Sequence, residues 1–253
     1  MDRYAALADK FKKREKICAL HCSLVLDPLI VAKMDAPDAD FFLFDMEHGR
    51  YDAQNLVPIF HECRALGVPT VVRVQDALYH LVAKPVDMGA DGVMIPRTET
   101  PEQLRAALRG LRFAPLGSKG CGGVAQFRPG ESCEAFQRGR FLLPQIESPR
   151  GIENLPAMLD EFADDISAII VGPYDMSFMV GTPLDIHSDA MTDAIWKVLE
   201  TAQEYGKSCG VYCDNVDEAR RYRAMGANVF WTGSDMQYLQ MGVRATLDGL
   251  RNL

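Results

Sequence analysis

The chain has no apolar run long enough to cross a bilayer, and its opening stretch, Met1 to Lys16, alternates charged with apolar residues. Neither a membrane span nor a signal peptide is expected, so the expected location is cytoplasmic. A concentrated basic face is also missing. The 27 Lys and Arg stand against 35 Asp and Glu, a formal charge of -8, which argues against a surface built to neutralise nucleic-acid phosphates. The seven cysteines are odd in number, and the pairs Cys18/Cys22 and Cys209/Cys213 lack the two-residue spacing of zinc knuckles. All seven are read as reduced and structural, behaving as small buried hydrophobes. No Gly-rich phosphate fingerprint follows a β-like run, and no lysine ends one to serve as a Schiff-base carrier.

What is present fits one large core. With 253 residues, 48% hydrophobic and 25% charged, residues 1–253 are expected to form a single domain of the usual eight-fold barrel size. Eight β-like runs can be marked: Ile17 to Leu24, Phe41 to Met46, Thr70 to Val74, Gly92 to Pro96, Phe141 to Ile146, Ile166 to Val171, Ser208 to Tyr212 and Val229 to Thr232. Amphipathic helical patterns lie between most of them. Ala53 to Leu66 stops at Gly67-Val68-Pro69, and Thr100-Pro101 opens a helix with a cap and a first-turn proline. Repeated strand and helix with right-handed crossovers predicts an α/β fold, a (β/α)8 TIM barrel whose strand ends share one rim. The segment 114–140, which carries Gly117, Gly120, Gly122, Gly123 and Gly130, is too long for an ordinary connection and is read as a substrate loop or lid at that rim.

Functional groups stand where these runs end. Glu147 and Asp175 follow two runs that become neighbouring strands, so their carboxylates can converge. Two close carboxylates need a cation or a shared proton, and an oxygen-only donor pair suits Mg2+ or Mn2+; an ion pair or a helix cap is the plainer alternative. Asp45 can accept from one nitrogen of His48 while the other faces the site, making His48 a candidate general base, although an Asp-x-x-His alone also describes a structural histidine. Alternation is taken to send Glu47 away from the site, as a brace for the barrel. Arg73, charged at the end of an apolar run, needs a partner: a substrate carboxylate or oxyanion, or simply Asp45 or Glu47. His21, at the end of the first run, is kept as a pocket candidate.

Asp45-Met46-Glu47-His48-Gly49, Val71-Val72-Arg73-Val74, Asp87-Met88-Gly89-Ala90-Asp91-Gly92, Gln145-Ile146-Glu147 and Gly172-Pro173-Tyr174-Asp175-Met176-Ser177 together resemble the HpcH/HpaI aldolase family of class II pyruvate aldolases, in order and spacing from about residue 15 onward. The resemblance implies a divalent-metal-dependent carbon–carbon lyase that forms or cleaves a 2-oxo acid aldol through a pyruvate-type enolate, with an aldehyde or other carbonyl acceptor. It makes Glu147 and Asp175 the metal ligands, His48 a base oriented by Asp45, and Arg73 a contact to the oxo acid. It places Gly172 and Pro173 at the substrate, sends Asp87 to a neighbouring subunit's site, and swaps the last helix between subunits of a homo-oligomer, a hexamer built from dimers. The stripe Leu239, Val243 and Leu247 on that helix needs burial in any case. Two departures bear on the acceptor. Lys119 stands in Gly117-Ser118-Lys119-Gly120 where the family carries arginine, and Arg97 stands where an apolar residue is usual. Both would suit an acceptor or product richer in carboxylates, with Lys119 counted among the substrate contacts. A citrate synthase-like condensation of an acyl-CoA-derived enolate with oxaloacetate is the alternative on the same barrel, and a non-catalytic metabolite-binding barrel the third reading.

Overall fold

The structure, a computed structural model, describes residues 2–34, 38–123 and 125–253. Its elements run α1 (Arg3–Lys13), β1 (Ile17–Cys22), α2 (Pro28–Lys33), β2 (Phe41–Asp45), α3 (Ala53–Ala65), β3 (Thr70–Arg73), α4 (Tyr79–Met88), β4 (Gly92–Ile95), α5 (Pro101–Leu111) and α6 (Cys133–Gly139). The second half continues with β5 (Phe141–Ile146), α7 (Pro149–Phe162), β6 (Ala168–Val171), α8 (Pro173–Met179), α9 (Asp189–Glu204), β7 (Ser208–Cys213), α10 (Val216–Ala224), β8 (Val229–Thr232) and α11 (Asp235–Arg251). The eight strands pair in parallel and in sequence order, and β8 returns to β1 to close the barrel. Every run marked in the sequence is a strand. Among the described residues no helix is long and apolar enough to cross a membrane.

The two-residue period of a strand decides what the barrel holds. One parity of each strand turns inward, as in Ile17 and Ala19, Phe41 and Leu43, or Phe141 and Leu143, and these side chains form an interior cluster. The other parity packs outward beneath the helices in a second, larger cluster that includes Phe42, Phe44, Leu142 and Ile169. Continuing the inward parity to the carboxyl ends brings His21, Asp45, Arg73, Gln145, Tyr212 and Trp231 to one mouth. Bulk inside is balanced by small neighbours. A Cβ on Gly92 would collide with Phe141, and one on Gly210 with Val229.

Two expectations change here. The described parts of segment 114–132, residues 114–123 and 125–132, lie between the carboxyl end of α5 and α6, which leads to the amino end of β5, because the barrel helices run antiparallel to the strands; they therefore form no lid on the rim, and residue 124 lies outside the described residues. These parts pack on the outer helices, where Gly120 N–H donates to the Tyr79 hydroxyl at 2.8 Å and Ser118 N–H to the Arg109 carbonyl at 3.1 Å. The seven cysteines are all free, but Cys18, Cys121 and Cys133 are exposed and only the other four are buried.

Candidate active site

A cavity of about 400 Å3 opens at the carboxyl ends of the strands, with Asp45, His48, Arg73, Gln145, Glu147 and Asp175 on its wall. The register of β2 against β3 sets Asp45 beside Arg73. Their side chains meet as a two-pronged pair, Nε to Oδ1 at 2.9 Å and Nη2 to Oδ2 at 2.6 Å. Arg73 Nε also lies 3.5 Å from Glu47 Oε2. Burial would raise the Asp45 carboxyl, but His21 and Arg73 outweigh it and hold the group well below the usual carboxylate range. Arg73 Nη1 makes no hydrogen bond among the described residues, and the Arg73 side chain lines the cavity.

The expected orientation of His48 by Asp45 is not what the structure has. Asp45 Oδ1 accepts the backbone N–H groups of Glu47 and His48, at 3.0 and 3.3 Å, while its remaining capacity goes to Arg73. The carboxylate therefore shapes the turn after β2 and cannot also reach the ring. The His48 imidazole stands 62% exposed at the rim, with Nε2 3.8 Å from Glu47 Oε2. Glu47 is not directed away either. Residues 45 and 47 share parity, and the buried Glu47 carboxylate accepts from Arg97 Nη1. The salt-bridge partners expected as the plain alternative for Arg73 are thus both present.

On the opposite wall, Glu147 is 3% exposed and accepts from Gln145 Nε2 at 2.6 Å and from the Arg97 backbone N–H at 2.8 Å. Arg97 reaches that position through a left-handed backbone, φ 47°, at the end of β4. Burial pushes the Glu147 carboxyl up to about 7; the Arg97 N–H opposes the rise and the Asp175 charge adds to it. Asp175, exposed in the first turn of α8, lines the same cavity. Gly172 begins that helix against Glu147, where any Cβ would strike the Glu147 carboxylate and the Gln145 amide; Pro173 also lines the cavity. The donor set is all oxygen. Two carboxylates face one space, and the Gln145 Oε1 atom is buried without a partner. Among the described residues no third His, Cys, Asp or Glu joins them. Such a set fits a hard divalent ion that keeps water and substrate oxygens in its other positions.

Lys119 and Asp87 are not in this cavity. The Lys119 side chain is fully buried against α4, where Nζ pairs with Asp87 and donates to the Gln126 side chain at 3.1 Å and the Gly120 carbonyl at 3.0 Å. The segment that carries Lys119 lies outside the helices, so its charge cannot reach a substrate in the same protomer. Sequence reasoning passed over Gln145, Tyr212 and Trp231, although each continues an inward parity by two residues, and it left the Glu47–Arg97 pair unread because both residues lie beyond strand ends.

The sequence profile of the HpcH/HpaI aldolase/citrate lyase family matches residues 24–241. A 2-keto-3-deoxy-L-rhamnonate aldolase of Klebsiella pneumoniae is 30% identical over 210 residues, 79% of this chain and 77% of that protein. A hydroxypyruvate/pyruvate aldolase of Delftia acidovorans is 27% identical over 217 residues, 84% and 80% of the two chains. In structure, an HpcH/HpaI aldolase/citrate lyase family protein from Burkholderia cenocepacia superimposes with a TM-score of 0.88 at 24% identity, covering 97% of this chain and 99% of that one. The barrel, the site and these matches agree: the chain belongs to the HpcH/HpaI aldolase/citrate lyase family and is an aldolase-like lyase.

Proposed function

We propose that this protein forms or cleaves a 2-oxo acid aldol through a pyruvate-type enolate, with a divalent ion, Mg2+ or Mn2+, held by Glu147 and Asp175. The observation that carries this reading is the convergence of those two carboxylates with Arg73 across one cavity. The bound ion would supply Lewis acidity to the oxo-acid carbonyl. Arg73, held in place by Asp45 and Glu47, turns its free Nη1 toward the carboxylate and developing oxyanion of the oxo acid. Gly172 and Pro173 leave room for that ligand beside Glu147. In cleavage, His48 takes the proton of the acceptor-side hydroxyl, the C–C bond breaks, and its electron pair passes to the oxo-acid carbons as an enolate, which a proton from water returns to the oxo acid. The aldehyde leaves. In addition, the steps reverse and His48 returns the proton to the new hydroxyl. The relatives' names support this chemistry over an acyl-CoA condensation.

The exposed face of α11 supports a reading of the assembly. Leu239 and Val243, on the stripe expected to be buried, are 62% and 49% exposed. Beside this helix a groove of about 380 Å3 lies against β1, β8 and α10, lined by Val216, Phe230 and Tyr238. We infer a homo-oligomer, a hexamer built from dimers, in which α11 covers the groove of a neighbour and Asp87 serves a neighbour's site. The catalytic reading is tested by exchange of pyruvate methyl protons with D2O, followed by NMR on chelator-treated protein with and without added Mn2+ or Mg2+. Metal-dependent exchange and aldol addition are expected. Exchange undiminished in chelator would overturn the reading.

A further inference from the structure

The two halves of the cavity differ in chemistry. Gln145 on β5 and Glu147 just past its end, Asp175 at the start of α8 and Arg73 on β3 make one half charged. Across the barrel, consecutive strands β7, β8 and β1 contribute Tyr212, Trp231 and His21 at their inward positions, so rings dominate that half, with Ser23, Ser234 and Gln237 beyond the strand ends beside them. Tyr212 and Trp231 are register partners whose rings meet edge-on, centroids 6.4 Å apart at 63°. Tyr174 extends the wall, 6.0 Å from Tyr212.

The hydroxyls of both tyrosines are occupied by neighbouring side chains. The Tyr174 hydroxyl donates to Asp214 at 2.6 Å, and Gln237 stands beside the Tyr212 hydroxyl. Both His21 nitrogens are shielded from solvent, with Nε2 3.8 Å from Asp45 Oδ2, so the part of the ring that is open is its carbon edge. Positive charge is scarce. Arg73 is the one Lys or Arg lining the cavity among the described residues, and Asp45 and Glu47 already face it. The two cations that would have suited a carboxylate-rich acceptor are engaged elsewhere, Lys119 with Asp87 and Arg97 with Glu47 and the Gln75 carbonyl.

A three-carbon oxo acid at Glu147, Asp175 and Arg73 leaves the ring-lined half for its reaction partner. We propose that Tyr212, Trp231, Tyr174 and the edge of His21 form the acceptor subsite, and that it takes an uncharged aldehyde with a planar aromatic or compact apolar body. This rests on the aldolase reading. Ser23, Ser234 and Gln237 give that half a few neutral hydrogen-bonding groups, too few to replace the water around every hydroxyl of a polyhydroxylated chain, and a second carboxylate would meet no free cation of the same protomer. Ring faces set edge-on against a planar ligand gain packing that an aldose cannot match.

The test compares benzaldehyde, D-glyceraldehyde and succinic semialdehyde as acceptors for pyruvate with the metal-loaded full-length protein. Benzaldehyde should lead in kcat/KM by roughly tenfold or more, and Trp231→Leu should lower the benzaldehyde to glyceraldehyde ratio by about 10- to 100-fold. A second measurement does not depend on that variant folding. The chain has two tryptophans, and Trp196 is exposed on α9, so in Trp196→Phe the remaining indole reports on the subsite. Benzyl alcohol, an unreactive probe, should change its emission saturably. A preference for either polar aldehyde, or emission that never saturates, overturns the acceptor assignment while pyruvate methyl exchange still stands. Loss of both exchange and addition with all three aldehydes overturns the aldolase reading and the acceptor assignment together.

Discussion

Glu147→Gln should make the metal-free protein more stable above neutral pH, although it removes a residue the chemistry needs. Burial raises the Glu147 carboxyl from 4.5 to about 7. Below the unfolded value the group is neutral in both states, and its full contribution to stability is present. As pH rises toward about 7, the unfolded chain loses its proton first, so stability falls; above that the folded protein carries a buried charge. A gap of about 2.5 at 1.36 kcal/mol each costs about 3 kcal/mol at pH 8.5. Glutamine avoids that cost. It has one side-chain oxygen for the two donors that Glu147 accepts, the Gln145 amide and the Arg97 N–H, and loses about 1 kcal/mol for the unmet one. The variant should be about 2 kcal/mol more stable than the parent at pH 8.5 and about 1 kcal/mol less stable at pH 4.5. For a chain of this size the gain corresponds to roughly 4–8 °C in Tm. Thermal melts of both chelator-treated proteins between these pH values should give curves that cross, and added Mn2+ should raise the parent alone. Parallel curves, with the variant less stable throughout, would refute the assignment of Glu147 as a buried carboxyl waiting for a cation.

Arg73→Ala should abolish pyruvate methyl exchange and also destabilise the protein by about 3–5 kcal/mol, because Asp45 is left buried without its guanidinium partner; denaturant melts and NMR exchange read the two effects separately. Asp45→Asn should resemble Arg73→Ala in weakening pyruvate exchange, since Asp45 holds the guanidinium; unchanged exchange in that variant would show that Arg73 stays in place without it. His48→Ala should retain pyruvate exchange while aldol cleavage slows by roughly 10²- to 10⁴-fold, and equal losses in both would reassign the imidazole to oxo-acid binding. Light scattering should show a mass several times 28.1 kDa, reduced by Leu239→Asp with Val243→Asp on α11; a monodisperse monomer of the parent protein would contradict the proposed assembly.

The barrel was legible because its signals are local. Each strand is a short apolar run, and glycine or proline punctuates the helix ends, as at Gly67 and Pro101. Site residues on the strands were legible for the same reason: Asp45 and Arg73 interrupt apolar runs with charge, which marks them whatever their partners turn out to be. The partners were not legible. Whether Asp45 serves the His48 ring or the His48 backbone depends on the turn after β2, and that turn is set by three-dimensional closure. Length misled at segment 114–132, because a long glycine-bearing loop carries no mark of which barrel face it sits on; only counting it as a helix-to-strand connection would have placed it. Tyr212 and Trp231 were hidden by type, since aromatic residues in strands fill cores far more often than they line sites.

Charge arithmetic ties the two walls of the cavity together. Asp45, Glu47, Glu147 and Asp175 are four carboxylates, and Arg73 and Arg97 are the two guanidiniums beside them. Fully ionised, the group carries two uncompensated negative charges, and keeping a proton on Glu147 removes one of them near neutral pH. A divalent cation balances both. The oxo acid then adds one negative charge, which falls to Arg73 Nη1 and the bound ion to accommodate. A neutral acceptor leaves that balance unchanged, whereas a carboxylated one would add charge facing rings that have none to offer. The metal proposed for one wall and the uncharged aldehyde proposed for the other are therefore linked: reversing the charge of Glu47 with Glu47→Lys should loosen metal binding and relax the discrimination against succinic semialdehyde in the same protein.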